Sequence, residues 1–224
     1  NPGPSVLCAH GASQTLIVTA QGVEVDGLDL DNTGTYATVY LLAAGFDIHD
    51  CEIDNQYYGI YVSVDVYEGG DLTLGTMSIT DNTVYGLRGI GFANLRARTL
   101  DYDSDVTVGD VTISGNTIDI DSDRAIRMFN VGGYGLDNGA VSWGDITISD
   151  NWIASESNNA IEFQGFFYDL NSTDVDIGDL EISGNNVTAN GTDGINVAWW
   201  RSYELTGAAT VDIGSLLVHD NVVD

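Results

Sequence analysis

The chain contains no lysine, and only six arginines answer its 34 acidic residues, for a formal net charge of −28. Such a surface repels nucleic-acid backbones and anionic membranes, which excludes both as partners. Proline occurs twice in 224 residues, against 27 glycines. That excludes a proline-rich linker and suits many tight turns between short strands. Cysteine is equally sparse. Cys8 and Cys51 allow at most one disulfide, in a chain whose acidic, lysine-free character fits an oxidising compartment. No apolar run reaches ~18 residues, so no helical membrane insertion is expected. The opening Asn1-Pro2-Gly3-Pro4 is no signal peptide, so a secreted chain would begin at a processed start.

What is present is hydrophobic content of 43%, enough for a core, arranged in a repeat. An alternating apolar strand runs to a glycine, a second alternating strand follows, and Asp-Asn or Gly-Asn closes the unit. The clearest copies are Val106 to Ile118, Val141 to Ile153 and Val175 to Val187, with Leu72 to Val84 and Val211 to Val223 on the same template. Gly75, Gly109, Gly144, Gly178 and Gly214 step by 34, 35, 34 and 36 residues. Asn82, Asn116, Asn151, Asn185 and Asn221 step by the same intervals. Between these units recur Gly59-Ile60-Tyr61-Val62, Gly89-Ile90-Gly91-Phe92, Ala125-Ile126-Arg127-Met128, Ala160-Ile161-Glu162-Phe163 and Gly194-Ile195-Asn196-Val197.

Period-2 alternation sends one face inward, and a single coil cannot bury that face, whereas a stack of coils can. The repeat therefore predicts an all-β, right-handed parallel β-helix: one domain over 1–224, with a lead-in over 1–15 and repeats of 34–36 residues from 72 to 224. About seven coils are expected, with three short strands each and long loops on one edge. The five asparagines should stack as an internal ladder, tolerating left-handed backbone at the bend. Leu28 and Cys51 take their place in the first two coils.

The motifs Ile113-Ser114-Gly115-Asn116-Thr117-Ile118 and Tyr57-Tyr58-Gly59-Ile60-Tyr61-Val62, with the opening Leu16 to Leu30, resemble the parallel β-helix repeats of the pectate-lyase-like superfamily. The resemblance covers nearly the whole chain and implies the fold. It does not choose among the superfamily's lyases, hydrolases, epimerases, tailspikes and surface proteins. Gly191-Thr192-Asp193-Gly194 is similar to the Asn-Thr-Asp-Gly stretch of polygalacturonase-like enzymes. No following Asp-Asp pair, Gly-His-Gly or Arg-Ile-Lys accompanies it, so no catalytic residue is assigned.

Other patterns point to interaction rather than chemistry. Asp110, Asp145 and Asp179 share one repeat position, and Asp176 and Asp212 another. Stacked like charges call for an offset by salt or bound cations, so these five are candidate calcium ligands although no cofactor is required. Gly132 to Asp137 matches one calcium nonapeptide, without the successive copies such sites need. Arg88 and Arg124 are equivalent in adjacent coils, and Arg127 and Glu162 suit an ion pair across one step. Aromatics gather in one insertion: Tyr67, Tyr102, Tyr134, Phe166, Phe167, Tyr168, Trp199, Trp200 and Tyr203, an edge for glycan stacking or subunit contact. Asn171, Asn186 and Asn190 head glycosylation sequons. Cys8 and Cys51 form a disulfide if the N-terminal segment folds out as a clip.

These features lead to an extracellular or cell-surface structural protein, a non-enzymatic subunit of a filament, sheath or surface layer. It would assemble head-to-tail through uncapped β-helix ends. The alternatives are a carbohydrate-binding or carbohydrate-active β-helix and a segment of a larger adhesin.

Overall fold

The computed structural model of the chain describes residues 15–68, 71–99, 105–137, 139–156, 159–191, 193–198 and 201–224. They form a parallel β-solenoid without a helix. The strands pair in parallel with their counterparts one coil on, so the chain builds four sheets along the stack, three through every coil and the fourth from the third coil onward. Sheet A begins at Leu16–Val18 and passes through Ala37–Leu41, Tyr58–Glu68, Ile90–Thr99, Ile126–Asp137 and Ile161–Asn171 to Ile195–Val197. Sheet B runs from Val23–Asp26 to Leu216–His219, and sheet C from Asp29–Asn32 to Val222–Val223, each with seven strands. Sheet D has five strands, from Leu72–Leu74 to Thr210–Ile213.

The core consists of columns of β-branched side chains, one per coil. Ile48, Ile79, Ile113, Ile148 and Ile182 stack in register in sheet B, and Ile53, Val84, Ile118, Ile153 and Val187 in sheet C. All ten are fully buried. Ile60, Ile90, Ile126 and Ile161 do the same in sheet A. Each such burial is worth about 1.5–3 kcal/mol. A coil obtains it only from the coils on either side, which is why alternation repeated every 34–36 residues folds into a stack.

Three expectations change. A full turn carries four strands, as in Ile126–Asp137, Ala140–Trp143, Ile146–Ser149 and Trp152–Ser155. The residues after each ladder Asn leave the preceding strand at a sharp bend and form sheet C on their own. About four turns are complete in this sense. The two N-terminal coils lack a sheet D strand, and the last coil carries its sheet A strand in two pieces, Ile195–Val197 and Arg201–Thr206. The expected long loops are also strand. Sheet A continues without a break through Tyr58–Glu68, Ile90–Thr99, Ile126–Asp137 and Ile161–Asn171. A β-bulge at Phe92/Asn94 and another at Phe129/Val131 mark where the extension departs from the coil wall.

The third change concerns the bend before sheet C. The residue in left-handed backbone is the one preceding each ladder asparagine, Asp81, Gly115, Asp150, Gly184 and Asp220, and Asp50, which precedes Cys51, all with φ of 55–67°. Aspartate tolerates this region and glycine enters it freely. Where glycine stands, the carboxylate of Asp81 or Asp150 fills the space that a Cβ on Gly115 or Gly184 would need.

Candidate functional site

The ladder asparagines are buried hubs. The side chain of Asn151 accepts from the Asn116 backbone N–H (3.0 Å) and from its Nδ2 (2.9 Å). It donates through its own Nδ2 to the Ile113 carbonyl (3.0 Å) and to Asn185 Oδ1 (2.9 Å). The same scheme runs from Asn82, which also accepts the Cys51 N–H (3.0 Å), to Asn221. Cys51 sits at the head of the ladder as a free, buried thiol whose pKa burial raises. Its expected partner, Cys8, lies outside the described residues.

The aspartate column turns out to be a second ladder. Asp110 Oδ1 accepts the Asp145 N–H (3.0 Å), Asp145 Oδ1 accepts the Asp179 N–H (2.9 Å), and Asp179 Oδ1 accepts the Ser215 N–H (2.6 Å). Each carboxylate is thus held by the next coil's backbone, and charge-assisted hydrogen bonds offset the stacking of like charge. A shorter series, Asp71 to the Asp105 N–H and Asp105 to the Ala140 N–H, repeats the device at 3.1 and 3.0 Å. The sequence pattern showed the stacking but not which way the carboxylates turn. Asp176 and Asp212 face each other in register and are exposed.

Among the described residues, the metal-type group whose ligand atoms converge lies elsewhere, at Asp26, His49 and Asp50, within 4.8 Å of one another. The imidazole is claimed by acids there. Its Nδ1 contacts Asp50 (3.0 Å) and its Nε2 Glu24 (3.3 Å), and these hydrogen bonds raise the His49 pKa to about 9. A metal would have to displace the proton that these acids hold on the ring. His219 repeats the arrangement with Asp220 (3.0 Å) and Glu181 (3.3 Å), and its pKa is raised chiefly by Asp220. Because the folded pKa of His49 exceeds 6.5, its stabilising contribution is complete below about pH 6.5 and disappears as pH rises through about 9. The melting-temperature difference between the parent and His49→Gln should therefore be largest near pH 6 and vanish by about pH 10. A difference independent of pH would show that the ring acts by packing.

The aromatic insertion is placed by its register. Tyr134, Tyr168 and Tyr203 occupy successive rungs of one column in the sheet A extension. Phe166 pairs with Gly132 and Arg201, and Phe167 with Gly133 and Ser202. Tyr67 is in the first extended strand, whereas Tyr102, Trp199 and Trp200 lie outside the described residues. The sequon residues Asn171, Asn186 and Asn190 are exposed, Asn171 at the end of a strand rather than in a loop. Asp193 lies at the C-terminal mouth with His219 and Asp220, in a recess of about 590 Å³.

A richer surface covers the outer face of sheet A. Tyr36, Tyr40, Tyr57, Tyr58 and Tyr61 pack together with ring centroids 4.9–6.3 Å apart, edge-on or tilted except for the stacked pair Tyr36 and Tyr57. Arg88 lies over the Tyr57 ring at 4.3 Å and pairs with Asp123 at 2.8 Å. Asp123 also holds Arg124 (2.6 Å), Arg124 reaches Glu162 (2.5 Å), and Glu162 holds Arg127 (3.1 Å) as the register anticipated. Sequence reading found the arginines but missed the tyrosines. Tyr36 and Tyr57 come from the irregular early coils, where no 34-residue period aligns them.

The two ends of the core differ. In the last coil, the inward residues Leu216, Val218 and Val223 are 55%, 48% and 49% exposed, beside exposed Leu217 and Val222. Val25 and Leu30, the first-coil counterparts of Val218 and Val223, are 2% and 4% exposed, and Val23, at the other end of the Leu216 column, is half-buried. No helix among the described residues is long and apolar enough to cross a membrane. Comparison with known proteins finds no matching family model, no similar curated protein and no similar solved structure, so what identifies this chain is its architecture: a parallel β-solenoid with paired asparagine and aspartate ladders.

Proposed function

We propose that this chain is a structural, non-enzymatic β-solenoid of an extracellular or cell-surface assembly, akin to the surface branch of the pectate-lyase-like superfamily. In this reading it self-associates through its C-terminal face. The observation that carries the proposal is the exposed apolar column at Leu216, Val218 and Val223, which calls for a further layer of strands over it, from the same polypeptide or from a second copy. Those side chains continue the buried Leu180, Ile182 and Val187 columns, and among the described residues the edges of Thr210–Ile213, Leu216–His219 and Val222–Val223 are each paired on one side only. Unpaired apolar edges recruit another strand layer.

We assign that layer to a second copy of this chain, and further coils of a longer polypeptide are the other outcome of the test below. The exposed sequon asparagines and the lysine-free, acidic composition support an extracellular setting. No calcium is required in this reading, since the aspartate ladder is satisfied by backbone N–H groups.

Sedimentation equilibrium tests it. The parent chain should form a species of twice 23.9 kDa in a concentration-dependent manner, and Val218→Asp should be monomeric with an unchanged monomer fold. A parent that stays monomeric at all concentrations contradicts the proposal. A native polypeptide heavier than this chain, with further coils over Val218, assigns the face to a longer adhesin instead.

A further inference from the structure

We propose that the flange built by sheet D and the sheet A extensions docks an extended, arginine- or lysine-bearing strand of a partner protein, along the edge it presents at the third coil. This edge is separate from the C-terminal face, and the inference does not depend on self-association. The topology leaves the edge open. Tyr58–Glu68 pairs with Ala37–Leu41 only as far as Val62, so on that side residues 63–68 have no strand beside them among the described residues. Leu72–Leu74, the first strand of sheet D, pairs among the same residues only with Val106–Val108. The counterparts of both in the next three coils are paired on both sides. Backbone N–H and C=O groups on an open edge are a template for another strand.

Room for that strand exists because the first two coils are short. They pass from sheet A to sheet B through residues 19–22 and 42–45, with no strand between. A recess of about 680 Å³ remains there, lined by Gln21, Gly22, Glu24, Asp47 and Thr76 and by Gly75, which directly follows Leu74. Glycine keeps the corner open. A Cβ on Gly75 would lie 3.1 Å from the Gly45 Cα, so the two coils meet there backbone to backbone.

Charge selects the partner. The first 87 residues hold twelve acidic residues and neither lysine nor arginine, whereas all six arginines lie between residues 88 and 201. The edge therefore attracts a basic strand and repels an acidic one, including the same edge of a second copy. In the recess, Asp47 Oδ1 is buried and accepts no hydrogen bond among the described residues. Glu24 stands one rung before it in the same outward column. A buried carboxylate oxygen without a donor is costly, and a guanidinium or ammonium on the arriving strand supplies that donor. Main-chain pairing along the edge gives affinity, and the acidic recess gives selectivity.

The test is calorimetric titration of the full chain, kept dilute, with the extended probe Ac-Thr-Arg-Val-Thr-Val-Arg-Thr-NH2. Two controls replace both arginines by glutamate or the central threonine by proline. The arginine probe should bind with a Kd below about 1 mM, and both controls at least about tenfold more weakly. Asp47→Asn should weaken the arginine probe about tenfold. On the parent chain the probe should slow amide exchange in residues 63–68 and in Leu72–Leu74, but not in Leu216–His219. Failure of the arginine probe to bind at millimolar concentration overturns the proposal. So does equal binding of either control, an unchanged affinity in folded Asp47→Asn, or protection confined to Leu216–His219. Slowing of the flange amides with protein concentration alone assigns the edge to a second copy and overturns it as well. If Asp47→Asn fails to fold, the probe comparison and the exchange map of the parent decide the outcome.

Discussion

Asn151→Ala should destabilise the solenoid by about 4 kcal/mol, because one side chain closes four buried hydrogen bonds. Alanine leaves the Asn116 N–H and Nδ2, the Ile113 carbonyl and Asn185 Oδ1 without the partner they had. Asn151 is 1% exposed, so water cannot simply take over. The loss spreads to both neighbouring coils, since acceptance points to the coil before and donation to both. Asn221→Ala should cost less. That residue is half-buried, and its Nδ2 bonds, to the Ile182 and His219 carbonyls, lie at the last coil. Urea unfolding of the three proteins measures both effects. A cost below about 1 kcal/mol for Asn151→Ala, or a larger one for Asn221→Ala, would contradict a buried, two-way ladder.

Gly144→Ala should cost about 2–3 kcal/mol, more than Gly27→Ala, although Gly27 is the residue with left-handed backbone. The reason is proximity. A Cβ on Gly144 would lie 2.8 Å from the Asp110 nitrogen and 3.0 Å from the Gly109 carbonyl carbon, both backbone atoms of the preceding coil. Neither can retreat without opening the rung that Asp110 and Asp145 share. Around Gly27, by contrast, nothing lies within 4 Å, so alanine meets only the conformational cost of φ +63°, about 1–2 kcal/mol. Gly178 is crowded in the same way by the Gly144 carbonyl carbon and the Asp145 nitrogen. Thermal melting of the two variants gives the ordering, and Gly27→Ala melting lower than Gly144→Ala would contradict this account of why glycine recurs there.

Much of this architecture is legible in the sequence because a stacked coil has few degrees of freedom. The glycine and asparagine series share their intervals, so the register of the stack follows from counting, and Leu28, Cys51 and Asn82 fall on consecutive rungs as expected. Pairing of Arg127 with Glu162 follows from the same count.

What counting misses is direction and context. The strand after each asparagine reads as a tail of the one before it, because the bend lies in the φ of the preceding Asp or Gly. The sheet A extensions read as loops, because Gly132, Gly133 and Gly165 interrupt their alternation, yet pairing with the neighbouring coils makes them strand. The aspartates read as unsatisfied charge, because nothing in the pattern shows their oxygens turned onto backbone N–H groups. The tyrosine surface comes from residues 36, 40, 57, 58 and 61, in coils too short to share the later period.

Amide hydrogen exchange at two protein concentrations shows whether a second copy covers the strands of the last coil. Amides of Leu216–His219 and Val222–Val223 should exchange rapidly in dilute protein and slow markedly above the association range, while those of Ile146–Ser149, already inside sheet B, should not change. Terminal-coil amides that exchange equally fast at every concentration would contradict it.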